Sequence, residues 1–190
     1  MKLYEATTIL IASSLILWIG YGVVFEGNVG TPTYKKIKKQ NGYEIREYQT
    51  LNVIKTNTTN QNSGFRQLFR MIDGNNAANE KIPMTAPVLT KDDSDSYNMM
   101  FFMLEVEKEE ELPLPNSDRV LIERINLGKV VAIKFGWWAT KSNINKHRKE
   151  IEKYMALNNL EPISDLMVAQ YNSPWAIPPF RKNELIYRVK

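Results

Sequence analysis

The apolar residues first form one unbroken run and then split into short periodic segments. Residues 6 to 25, ATTILIASSLILWIGYGVVF, carry no charge. At about 1.5 Å per residue, a helix of this length reaches about 30 Å, the thickness of a bilayer's hydrocarbon core. Trp18, Tyr21 and Phe25 gather toward its C-terminal end, where interfacial aromatics belong. The pattern predicts an uncleaved single-pass membrane anchor. The alternative is export after signal cleavage, for which Gly20-Tyr21-Gly22 is a weak match to a small-residue site. Lys35, Lys36, Lys38 and Lys39 follow closely and favour a cytoplasmic domain. A single N-terminal span ahead of a folded domain is nonetheless often exported, so the side of the membrane stays open. EGNVGTP (26–32) reads as a linker. The chain thus divides into an anchor or signal with linker (1–33) and one folded domain (34–190).

Within the folded part, YEIREY (43–48) alternates as a strand does, and LNVIKTNT (51–58) reads as a second strand. Ser63 is positioned to cap a helix in which Phe65, Leu68, Phe69 and Ile72 recur at helical spacing, with Gly74 as a stop. A strongly apolar strand, SYNMMFFMLEV (96–106), follows. About 77 residues later the order recurs. VLIERIN (120–126) and GKVVAIKF (128–135) give two strands. Thr140 or Ser142 caps a helix with Ile144, Ile151 and Met155 on one stripe. SDLMVAQY (164–171) and NELIYRV (183–189) complete the set. The pattern predicts an α+β fold of two ββαββ halves with two helices laid across paired sheets.

Between the first helix and the apolar strand lies NEKIPMTAPVLT (79–90), in which Pro83 and Pro87 suit neither a helix nor a central strand. It is expected to be a rigid, extended entry into a strand starting near Val88. Composition narrows the chemistry further. The chain has no cysteine and one histidine, His147, so thiolate metal sites are excluded and multi-histidine zinc sites or internal Ser-His-Asp triads are disfavoured. A net charge of +4, from 25 basic and 21 acidic residues, is no nucleic-acid signature, and no nucleic-acid partner is expected.

YEIREY, FRQLFRMIDGNN, EKIPMTAPVLT, MMFFML, FGWWAT and YNSPWAIPPFRKNELIYRV, in this order and spacing, resemble the SOUL haem-binding protein family from about Tyr34 to Val189. KIPMTAPV and PPFRKNE are the specific segments. The resemblance implies a distorted β-barrel of two pseudo-symmetric halves. It also implies haem or another tetrapyrrole, bound without catalysis in an apolar cleft beside the first helix. Carried onto this sequence, it nominates Phe65, Leu68, Phe69 and Ile72 for the ring, Arg66 and Arg70 for the propionates, and Met84 for the cleft wall. The bland reading of the same helix is a core-packing face with a solvated basic side.

For iron, His147 is the one imidazole available, at the margin of the second helix's apolar stripe; methionines and Tyr43, Tyr48 or Tyr171 are weaker alternatives. The two-fold architecture is also similar to the effector-binding domains of bacterial regulators. That leaves a small-molecule-binding or hydrolytic domain, or an enzyme modifying a tetrapyrrole, as alternatives.

Overall fold

The computed structural model describes residues 29–93, 96–106, 108–173 and 176–190, with Thr7 and Ser13. The span expected at 6–25 lies outside them apart from those two residues. Among the described residues, no helix is long and apolar enough to cross a membrane.

The elements are β1 (Tyr34–Gln40), β2 (Tyr43–Thr58), α1 (Gln61–Ile72), β3 (Val88–Asp93), β4 (Ser96–Met103), β5 (Leu121–Phe135), α2 (Lys141–Leu157), β6 (Met167–Gln170) and β7 (Asn183–Arg188). All pairings between them are antiparallel. The ring β2-β4-β3-β6-β7-β5 closes where β5 pairs back onto β2, giving a six-stranded barrel. β1 adds to the outside edge of β2. Ile54 pairs with Ile122 and Ile45 with Val131, so the β2–β5 register has the two-fold symmetry that the internal repeat implies.

Two details differ from the sequence expectation. Each pair of strands expected to open a half is a single long strand, 16 residues in β2 and 15 in β5, so each half is βαββ. The lumen-facing set changes phase, from Tyr48 to Leu51 and Val53 in β2 and from Leu127 to Val130 in β5. A period-two reading takes such a phase change for a loop. Here it marks a bend in a strand that stays paired, and Gly128, opposite Tyr48, supplies the left-handed φ of +56°.

β1, the other difference, is the lysine-rich YKKIKKQ segment, exposed along its length. Lysines along an edge strand discourage pairing with other chains. Its hairpin turn, Asn41-Gly42 with φ of +51° and +85°, is the sequence signal that identifies it.

Both helices lie on the outside of the barrel, each over one half. α1 is capped by Asn60, not Ser63: the Asn60 side chain accepts from the Ser63 amide at 2.9 Å. The helix therefore begins with polar Gln61-Asn62, ahead of its apolar stripe. A Cβ on Gly64 would lie 2.9 Å from Thr58 Cγ2, so glycine is what lets α1 approach the sheet. α2 is capped by Thr140, one of the two candidates the sequence offered. Three apolar clusters result. Leu68, Met71 and Ile72 join Ile54, Met99 and Phe101 under α1; Ile151, Tyr154 and Met155 join Val131, Leu185 and Tyr187 under α2; Val53, Leu89, Phe102 and Val130 fill the lumen.

The proline segment does lead into β3 at Val88. Thr85 Oγ1 donates to the Phe102 carbonyl at 2.6 Å, and the Ala86 amide donates to the Gly30 carbonyl at 2.8 Å. The segment thereby fastens the incoming chain to the barrel wall.

Candidate functional site: two cavities on opposite faces of the sheet

Glu44, Arg46 and Tyr48 alternate along β2 and so share the lumen face. Arg46 is fully buried and takes part in a closed charge network. Its Nη1 and Nη2 each donate at 2.7 Å to the two carboxylate oxygens of Glu184 on β7, and Nε donates to Glu44 at 2.9 Å. The Tyr171 hydroxyl donates to Glu184 at 2.8 Å, and the Tyr34 ring covers the guanidinium at 4.4 Å. A bidentate, charge-assisted pair of this kind is strong, and removing one member leaves a charge stranded in low dielectric. Lys36, Lys39 and Lys134 approach Glu44 from outside at 3.7 to 3.9 Å.

Burial acts to raise the Glu44 carboxyl, but the Arg46 hydrogen bond and charge, with Lys134 and Lys36, outweigh it and hold the group below its usual range. Burial pushes the Tyr48 hydroxyl up to about 12, against the opposing pull of Arg46. It raises Tyr171 as well, with Glu184 adding to the rise.

The Tyr48 shift carries a pH prediction. The stability contributed by the neutral buried hydroxyl is complete below pH 10.0, the ordinary tyrosine value. Above it the unfolded chain ionises first. Between there and about pH 12 the chain is expected to lose about 2 to 3 kcal/mol from this group, with Tyr171 adding in the same direction. Denaturant unfolding at stepped pH, followed beside tyrosinate absorbance, measures this; flat stability across the interval contradicts it.

This network borders a cavity of about 530 Å³ in the barrel mouth, walled by Tyr34, Leu89, Phe102, Phe135 and Ile186, with Lys134, Arg181 and Lys182 at its opening. A second cavity of about 460 Å³ lies on the outer face of the sheet, beside the N-terminal half of α1. It is lined by Gln61, Asn62 and Phe65, by Val88 and Met99, by Trp138-Ala139-Thr140, and by Gln170, Asn172 and Arg181. Arg181 borders both cavities, its guanidinium 3.8 Å from the Trp138 ring centre.

The residues nominated from the sequence divide among three settings. Phe65 lines the outer cleft, packs edge-on to Phe101 and stacks on Phe69 with ring centres 5.9 Å apart. Phe69 is 43% exposed, and Arg66 and Arg70 are exposed on the adjoining side of the helix. Leu68 and Ile72 are sealed in the core, at 0% and 3% exposure, and Met84 packs half-buried against the same cluster. His147 lines neither cavity: its Nδ1 is 2.8 Å from a Glu150 carboxylate oxygen, and its ring stacks on Phe135. No group of three or more His, Cys, Asp or Glu is arranged to hold a metal ion among the described residues.

The sequence reading missed the Glu44–Arg46–Glu184 network and the lumen cavity. The alternation in YEIREY did put Glu44 and Arg46 on one face. Charges on one face of a strand ordinarily mean solvent, and only barrel closure turns that face inward.

The fold is shared with solved structures of low identity. A hydrolase from Listeria innocua superposes with a TM-score of 0.60 at 12% identity, covering 81% of this chain and 94% of the other. An uncharacterized conserved protein from Listeria innocua gives 0.58 at 14%, covering 80% and 94%. The EcmrR C-terminal domain gives 0.59 at 10%, covering 83% and 98%. At these identities the likeness is one of fold alone. No curated protein matches the sequence significantly. The family model for the SOUL heme-binding protein matches residues 29–188, which is the whole barrel with both helices, and the chain therefore belongs to the SOUL heme-binding protein family.

Proposed function

We propose that the protein binds haem or a related tetrapyrrole, without catalysis, in the outer cleft beside α1. The observation that carries this reading is the aromatic, largely apolar cleft at Phe65, in a chain whose barrel matches the haem-binding family throughout. Phe65, Val88, Met99 and Trp138 suit the flat apolar ring. Arg66 and Arg70, four residues apart and exposed, suit its acidic side chains. The donor set fits a ring held by packing and charge better than a metal held by several protein ligands. When bound, haem would supply a redox-active, light-absorbing iron centre. The chain's own part is to shield the ring from water and neutralise its carboxylates.

Haemin titration of the full chain in detergent, followed in the Soret region, is the test. Wild type is expected to give a saturable shift. Arg70→Glu is expected to weaken binding by about 1.5 to 3 kcal/mol, the scale of a hydrogen bond to a charged group. Absence of a saturable shift at micromolar protein rejects the reading, and unchanged affinity in Arg70→Glu rejects the propionate role.

A further inference from the structure

The rim that separates the two cavities carries large aromatic side chains that are about half exposed or more. Trp137 has a left-handed φ of +66°, yet its side chain is 60% exposed. A bulky residue in that conformation is a genuine outlier, and glycine or asparagine would adopt it at lower cost. The turn is nevertheless fixed. Asn143 Nδ2 donates to the carbonyls of Gly136 at 3.1 Å and Trp138 at 3.0 Å, and Asn183 Nδ2 donates to the Trp137 carbonyl at 2.8 Å. Two asparagines thus hold the backbone of a turn on which the Trp137 side chain is exposed.

Phe180, 68% exposed, lies on the adjoining segment. The short helical turn at Pro178–Phe180 packs on Gly136, whose Cβ position is 3.5 Å from the Pro179 carbonyl oxygen. Trp138 is 48% exposed and shares the rim. The turn at 136–140 and the segment 176–183 contain no Asp or Glu; exposed Lys141 and Lys182 adjoin them, Arg181 is buried against Trp138, and Glu150 and Glu184 lie just beyond. Exposed tryptophan and phenylalanine on adjoining turns, flanked by exposed Lys141 and Lys182, suit the headgroup layer of an anionic bilayer. A lone apolar side chain on a protein surface is ordinary; three exposed aromatics on two adjoining turns, one of them in a strained backbone conformation, are not.

The chain's entry point agrees. Thr31 and Pro32 line the same barrel mouth as Lys134, Gly136, Arg181 and Lys182. If the apolar run ends at Phe25, the five residues to Gly30 reach about 17 Å at most. On the anchor reading of that run, a domain held so closely turns some surface toward the lipid.

We propose that the Trp137–Trp138–Phe180 rim docks onto a bilayer surface carrying anionic lipids, with the Trp137 and Phe180 rings in the headgroup layer. The outer cleft, bounded by Trp138 and Arg181, then opens at the lipid surface. On the tetrapyrrole reading above, an amphipathic ring partitioned in the bilayer reaches its site without crossing water.

Because the chain lacks cysteine, single-cysteine variants carry one label each. Trp137→Cys, Phe180→Cys and, as a control at the far end of α2, Leu157→Cys (75% exposed in the parent) are labelled with a polarity-sensitive fluorophore. The full chains are reconstituted in phosphatidylcholine vesicles with and without phosphatidylserine. Labels at 137 and 180 are expected to shift to the blue and to be quenched several-fold by brominated lipid, more strongly with phosphatidylserine, while the label at 157 stays water-like. Lys141→Glu with Lys182→Glu is expected to abolish the phosphatidylserine dependence. Water-like spectra at 137 and 180 in both vesicles, with the protein still bound to them, overturn the proposal. Loss of the protein on alkaline carbonate washing counts against the anchor and not against docking, which the labels in unwashed vesicles decide. Haemin affinity, measured separately, reports on the tetrapyrrole reading alone.

Discussion

Arg46→Met is expected to lower the unfolding free energy by about 3 to 5 kcal/mol, because it strands two buried carboxylates that the guanidinium now satisfies. Methionine is near enough in length to keep the lumen filled, so the loss comes from charge and not from volume. Glu184 loses both of its 2.7 Å bonds and keeps the Tyr171 hydroxyl, with Lys134 at 4.0 Å. Glu44 keeps Lys36, Lys39 and Lys134, which reach it only from the exposed side at 3.7 to 3.9 Å. Adding Glu184→Gln to Arg46→Met should therefore restore part of the stability, although Glu184→Gln alone destabilises. Urea unfolding of the four chains in detergent, followed by circular dichroism, gives the coupling. Strictly additive effects would mean that the three side chains do not act as one network.

Leu68→Ala is expected to cost about 2 to 5 kcal/mol, the usual range for emptying a fully buried leucine site. Phe69→Ala, one residue on, should cost less than about 1 kcal/mol, since its ring is 43% exposed and its removal opens no cavity. Their effects on ligand should be reversed. Leu68 faces Ile54, Met99 and Phe101 and has no surface to offer, so haemin affinity should hold wherever the variant is folded. Phe69 stacks on Phe65, the apolar α1 side chain in the lining of the outer cleft, so its loss should weaken haemin binding by roughly three- to tenfold, the worth of an aromatic pair. If Leu68→Ala abolishes haemin binding while the fold persists, the ring reaches under the helix, and the cleft described here is not its site.

Those two neighbours show how far a helical periodicity can be read. Phe65, Leu68, Phe69 and Ile72 form one stripe in sequence, and the stripe is real: it is the face that meets the sheet. Its edge falls between Leu68 and Phe69, and periodicity cannot place that edge, because it depends on how closely the sheet approaches. Gly64 decides the approach by letting the helix down against Thr58. Similarly, the opening alternation of each half was legible, but not its continuity, since β2 and β5 bend without losing their partner.

By itself the sequence determined the α+β class, the two-fold repeat, both helices, the entry into β3 at Val88 and the family, because these rest on local periodicity and on short specific motifs. The tertiary structure alone decided which faces point where. Closing six strands into a ring turned Glu44 and Arg46 from an apparent solvent face into a buried network with Glu184, some 138 residues away. It also set two cavities on opposite sides of one sheet and brought the turn that carries Trp137 beside the segment that carries Phe180. Burial is a property of ring closure, and no window of consecutive residues contains it.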